Sequence, residues 1–173
     1  MLRSVPDITV YSPSSYEGLK HAMQQALYSE PKLVAVRYPR GAQRAIPESI
    51  KPTFADFDVF GDENAEKAII TYGRTFSACA FAYEKRVNSG ESVKLIKLNR
   101  IIPVCEGAVE AAKNCKDVYF FEEGIRRGGA GEGFLFDLSK AGFSGKYHLR
   151  AIENGFVKQA SVESLLHKYG FDE

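Results

Sequence analysis

Two clusters in this 173-residue sequence combine residue types and spacing suited to chemistry. The first is Arg37-Tyr38-Pro39-Arg40-Gly41. It closes an apolar, β-rich run, so its side chains fall where the carboxyl end of a parallel strand meets a loop, the usual ligand position in open α/β sheets. Guanidinium presents a planar fork of donors that matches phosphate oxygens and never loses its charge, so Arg37 and Arg40 suit a sugar-phosphate tail. The same five residues also read as a solvated turn in which Pro39 fixes the backbone. Taken by themselves, the residues favour the turn.

The second cluster runs from Glu122-Glu123 through Gly124, Gly128, Gly129 and Gly131 to Gly133. A glycine-rich loop between a strand and a helix resembles a phosphate cradle. A dinucleotide fingerprint, however, needs the loop in the first strand-to-helix turn and an acidic residue about 20 positions later. Here the loop comes late, and Glu122, Glu123 and Glu132 put negative charge where a phosphate would sit. Close approach of a helix to the sheet is the favoured role for the glycines. Glu122 and Glu123 also suggest an acid and a base, but adjacent side chains on a strand point to opposite faces and do not converge. A surface or interface role is therefore expected for them.

The remaining reactive residues are scattered. Cys79, Cys105 and Cys115 have no metal-ligand or redox spacing, so reduced thiols are expected rather than a disulfide framework or a zinc site. His21, His148 and His167 have no partner at ligand spacing, so no metal site is assigned. A net charge of +1 offers no field for nucleic acid. With 45% apolar and 26% charged residues the chain is globular in composition, and no apolar run approaches the ~20 residues that span a bilayer. The first residues, MLRSVPDITVYS, turn polar at once, so no secretory leader is expected and the cytoplasm is the default location.

Short β-rich runs alternate with helical patterns, which implies an α/β fold with a mostly parallel sheet between helical layers. Strands are expected at Ile8–Tyr11, Leu33–Tyr38, Lys67–Tyr72, Val93–Leu98, Val118–Phe121 and Tyr147–Ile152. Ser14 and Glu17 have capping-box spacing ahead of a helix that gathers Tyr16, Leu19, Met23, Ala26 and Leu27 on one face. Further helices are expected over Ser77–Asn88, with Ala80, Tyr83 and Val87 inward, and over Glu106–Lys113, Gly131–Ala141 and Ser161–Lys168. Gly90 and Gly170 suit left-handed residues past helix ends.

Between Gly41 and Glu66 the pattern dissolves into prolines and charges, and residues 42–64 read as a linker. It separates a partial strand-helix-strand unit (1–41) from a more complete α/β unit (65–173). The first unit is too small to cover its own apolar faces, which implies a piece of something larger or a chain that pairs with another.

These segments, in this order, resemble the C-terminal part of 1-deoxy-D-xylulose-5-phosphate synthases, in the transketolase superfamily. Val5–Leu27 is similar to the end of the pyrimidine-binding domain, and Ala35–Gly41 (AVRYPRG) matches that family closely. Ala68–Thr75 is similar to the first strand of the family's C-terminal domain, Phe121–Gly133 to its Glu-Glu…Gly-Gly stretch, and Gly155–Glu173 to its closing segment. Asn99 and Ile102 stand where the family carries Arg and Lys, and Gly124 stands in place of Asn.

The resemblance implies a transferase that condenses pyruvate with glyceraldehyde 3-phosphate, supplying precursors for isoprenoids and thiamine. It uses thiamine diphosphate and Mg, held by upstream motifs that this sequence lacks. By the same resemblance, Arg37 or Arg40 binds the substrate phosphate and the C-terminal domain serves dimer contacts. The chain alone is then expected to be inactive and to bind no cofactor. Its expected partners are the missing thiamine-binding domains or a companion subunit, and a second copy in a homodimer. A transketolase, a 2-oxoacid dehydrogenase beta-type subunit and a non-catalytic assembly module share much of the frame and stand as alternatives.

Overall fold

The computed structural model of the chain describes residues 2–153 and 155–172. Two sheets carry the fold. The smaller has the order β2-β1-β6, with β1 (Thr9–Tyr11) and β2 (Val34–Val36) parallel and joined by α1 (Tyr16–Tyr28). Its third strand, β6 (Arg100–Ile102), is antiparallel to β1 and comes from the second half of the chain. The larger sheet has the order β3-β5-β4-β7-β8. Its strands β4 (Lys67–Tyr72), β5 (Val93–Leu98), β7 (Asp117–Ile125) and β8 (Lys146–Ile152) are parallel, and β3 (Phe57–Gly61) runs antiparallel along the edge.

Period-two alternation sorts the larger sheet's side chains between two cores. Ala68, Ile70, Ile96, Val118 and Phe120 meet α3 (Glu106–Ala112) and α4 (Ala130–Lys140) on one face. Val93 and Leu95 meet Phe76, Cys79, Ala80 and Tyr83 of α2 (Thr75–Asn88) on the other. Helices therefore cover both faces, as a three-layer α/β/α arrangement requires. The first unit joins the α3/α4 side, where Ile8 and Val10 pack with Leu98 and Ile101. Asn99 is the corner between the two sheets: its carbonyl accepts from Ser12 N (2.7 Å) and its N–H donates to Asp56 O (2.8 Å).

The expected helices all form, with small shifts. The N-cap of α1 is Ser15 rather than Ser14, because the Ser15 hydroxyl accepts from Gly18 N. The final helix, α5 (Val162–Tyr169), starts at Ser161 and ends on Gly170, which adopts φ +66°. Gly90 likewise has φ +84°. Two strands are additional to those expected. β3 lies inside the stretch read as a linker, where Asp58 and Lys97 pair across the edge and lie almost fully buried. β6 is three residues long and follows β5 after a single residue, so it did not stand apart as a separate run.

The apolar stripe that the sequence gathers on one face of α1 is largely solvent-facing. Tyr16 is 61%, Met23 42% and Leu27 66% exposed, and Ala22 is the buried residue of the helix. The small sheet covers the Ala22 side; on the other, the Tyr16 hydroxyl accepts from Gln43 N (3.2 Å), while Met23 and Leu27 stay exposed. Val87 is also exposed, in the last turn of α2. Among the described residues no helix is long and apolar enough to cross a membrane.

Candidate functional site

The carboxyl ends of β1, β2 and β4 converge with the irregular end of β7. They enclose a cleft of about 150 Å³ lined by Ser12, Arg37, Tyr38, Tyr72, Arg74 and Glu123, among others. Position follows from chain order within the strands: Ser12 follows β1, Arg37 follows β2, and Gly73-Arg74 follow β4. Gly73 closes the corner with φ +59°, and its N–H donates to Ser12 O (3.2 Å).

Arg37 enters this cleft and Arg40 does not line it. The Arg37 guanidinium lies 5.3 Å from the centre of the Tyr72 ring, within cation–π range. Arg74 supplies a second guanidinium. It is held by Glu123 in a bidentate pair, Nε to Oε1 at 2.8 Å and Nη2 to Oε2 at 2.9 Å, in a part-buried setting. Tyr72 and Arg74 escaped the sequence reading, and Glu123 was expected only in a surface or interface role. The available signal was that Gly73-Arg74 closes β4 as Arg37 closes β2, which puts both arginines at strand carboxyl ends.

Glu122 and Glu123 diverge, as adjacent strand residues should, but Glu122 does not lie on the surface. Its side chain is fully buried and accepts from Tyr72 OH (2.7 Å), Ala130 N (3.0 Å) and Gly131 N (3.0 Å). A surface role fails because the open amides at the start of α4 attract an anionic group, and the chain supplies its own. The pairing of β7 with β8 is irregular between Phe121 and Ile125, which frees this stretch to turn toward the helix. Burial and the Glu122 charge push the Tyr72 hydroxyl well above its usual range, while Arg37 acts in the opposite direction, so Tyr72 stays a neutral donor.

The glycine loop is a packing device. A Cβ on Gly131 would stand 2.5 Å from Leu149 Cδ1 and 2.9 Å from Phe120 Cδ1, and one on Gly129 would stand 2.3 Å from Ile125 O. With Glu122 on two of the first-turn amides, and Glu132 accepting from Gly128 N, the loop does not fit a diphosphate. Among the described residues there is no cluster of three His, Cys, Asp or Glu that could hold a metal ion. The residues described here therefore do not fit thiamine diphosphate with its metal. The three cysteines are free and buried, and burial pushes Cys79 up to about 12 and Cys105 to about 11, so neither is an activated nucleophile.

Known proteins share this frame. The family model described as transketolase, C-terminal domain, matches residues 61–173. The 1-deoxy-D-xylulose-5-phosphate synthase of Shouchella clausii is 25% identical over 172 residues, covering 98% of this chain and 27% of the relative. That of Geobacillus thermodenitrificans is 28% identical over 178 residues, covering 98% and 28%. The chain thus spans about a quarter of the length of these curated relatives. Among solved structures, a split-gene transketolase described as an inactive β4 tetramer superposes with a TM-score of 0.77 at 19% identity, over 98% of this chain and 55% of its own. The transketolase of Campylobacter jejuni gives 0.74 at 14% identity, over 98% and 25%. Those two likenesses concern the fold. The match over residues 61–173, on a sheet with the helical layers that the sequence implied, shows that the chain belongs to the transketolase C-terminal domain family.

Proposed function

We propose that this chain is the C-terminal portion of a thiamine diphosphate-dependent transferase that condenses pyruvate with glyceraldehyde 3-phosphate. Its part in that enzyme is to bind the acceptor's phosphate and to hold subunits together. The observation that carries the reading is Arg37, at the carboxyl end of β2 and facing a cleft that also holds Arg74. Similarity to 1-deoxy-D-xylulose-5-phosphate synthases along 98% of the chain supports the choice of reaction. Of the two arginines the sequence offered, Arg37 is assigned the phosphate, because Arg40 does not line the cleft. Residues 1–41 are assigned to the end of a pyrimidine-binding domain and residues from about 65 onward to the C-terminal domain, with β3 at the end of the connecting stretch joining the latter's sheet.

The cofactor and its metal belong to upstream domains or to a companion subunit, so the chain alone is inactive. The split-gene transketolase, described as inactive when assembled as a β4 tetramer, supports that division of labour. A non-catalytic assembly module is favoured by one observation, the exposed stripe of Tyr16, Met23 and Leu27 on α1.

Reconstitution with the complementary upstream domains tests the reading. Product should form from pyruvate and glyceraldehyde 3-phosphate in the mixture and not from the chain alone, and calorimetry should detect no thiamine diphosphate binding by the chain. In the mixture, Arg37→Ala should raise the KM for glyceraldehyde 3-phosphate by about tenfold or more, the worth of a charged hydrogen bond, with the pyruvate KM little changed. Micromolar cofactor binding by the isolated chain would overturn the division of labour, and an unchanged acceptor KM would overturn the role of Arg37.

A further inference from the structure

Tyr72 stands between Arg37 and a buried carboxylate. Its hydroxyl donates to Glu122 Oε2 at 2.7 Å, and its ring, only 4% exposed, turns one face to the Arg37 guanidinium. Glu122 is itself fixed by the first-turn amides of α4. That helix comes close enough because Gly129 and Gly131 have no side chains. Gly124 completes the fit: a Cβ there would lie 2.6 Å from Glu122 Oε2 and 3.4 Å from the Tyr72 hydroxyl. A continuous path of packed polar groups therefore runs from the start of α4, through Glu122 and Tyr72, to the one arginine that the first unit contributes to the cleft.

We infer that Tyr72 is the positioning residue for Arg37, a buried aromatic platform fixed by its packing, which holds the guanidinium ready for an anion in the cleft. A free arginine side chain has several rotatable bonds to order on binding, and an anchored one has already lost that freedom. The ring supplies the anchor by its negative face. It does so without neutralising the charge, as Glu123 does for Arg74. Arg37 thus keeps its full charge for a ligand, while Arg74 is spoken for until Glu123 lets go. The ligand class is a phosphate monoester or a similar dianion, and that part rests on the reading proposed above.

The test is nuclear magnetic resonance of arginine Nε–H groups in the isolated chain, titrated with glycerol 3-phosphate. The Arg37 signal, assigned by its loss in Arg37→Lys, should be shifted upfield by the Tyr72 ring current and should move on titration. In Tyr72→Leu the upfield shift should vanish and glycerol 3-phosphate should bind about tenfold more weakly, within the range a desolvated cation–π contact supplies. Tyr72→Phe keeps the platform, so it should retain the upfield shift and bind within about threefold of the parent. Amide spectra of both variants establish that they fold. An Arg37 signal unshifted in the parent chain, or equal losses in Tyr72→Phe and Tyr72→Leu, would overturn the platform. A ring-shifted Arg37 signal that is lost in Tyr72→Leu yet ignores glycerol 3-phosphate would uphold the platform and overturn the phosphate reading instead.

Discussion

Glu122 shows how much one buried side chain can govern. Its two oxygens face donors only: a tyrosine hydroxyl and two backbone amides. Replacing it with glutamine turns one of those oxygens into a donor, so at least one buried donor is left facing another. We expect Glu122→Gln to lower unfolding stability by about 1–3 kcal/mol, the usual cost of an unsatisfied buried polar group. Urea denaturation should show this as a lower midpoint with an unchanged slope. A midpoint equal to the parent's would mean that the carboxylate is not needed to cap α4. The sequence made the neighbouring glycines and the divergence of Glu122 and Glu123 legible, because those follow from strand geometry. It did not reveal where Glu122 points, because the amides that capture it lie eight and nine residues further on and reach it only when α4 folds back onto β7. Arg37 was legible for a similar local reason, the end of an apolar run. Arg74 and Tyr72 were not, because their place beside Arg37 depends on where the ends of β1, β2 and β4 meet.

Among the elements, the helices were read well, and so were the strands apart from β3 and β6. Helix α5 announced both of its ends through Ser161 and Gly170, and the structure uses both. Strand β3 sits among prolines and charges, and the three residues of β6 follow β5 after a single residue, so neither stood apart as a separate apolar run. The start of α1 is a finer case. Ser14 has the capping-box spacing to Glu17, yet Ser15 takes the extended backbone conformation of an N-cap (φ −139°, ψ 163°) and accepts from Gly18 N at 3.0 Å. Ser15→Ala should therefore cost about 1 kcal/mol, whereas Ser14→Ala should cost at most a few tenths. Thermal unfolding of the two variants side by side distinguishes them. A larger loss for Ser14→Ala would restore the capping box that the sequence suggested.

For the whole molecule, the decisive feature is an unfinished surface. The larger sheet has helices on both faces, whereas the smaller one has α1 on one side and an open edge along β2. Tyr16, Met23 and Leu27 therefore project from α1 into solvent, and Leu33, just before β2, is 65% exposed. Soluble monomers rarely leave large residues exposed in such continuity, and a strand edge beside them offers further pairing. The curated relatives are about four times as long; under the function proposed above, their further chain would cover this face, and in the chain taken alone a second copy would do so. Sedimentation of the chain alone at micromolar concentration should therefore show a dimer or a larger species. Leu27→Glu should shift the population toward monomer, because a charge at 66% exposure costs the folded monomer little but is costly to bury in an apolar contact. Adding the complementary upstream domains should displace the self-association, since both would use the α1 stripe. A parent chain that sediments as a clean monomer would count against the assembly role, and an association untouched by Leu27→Glu would move the contact to another surface.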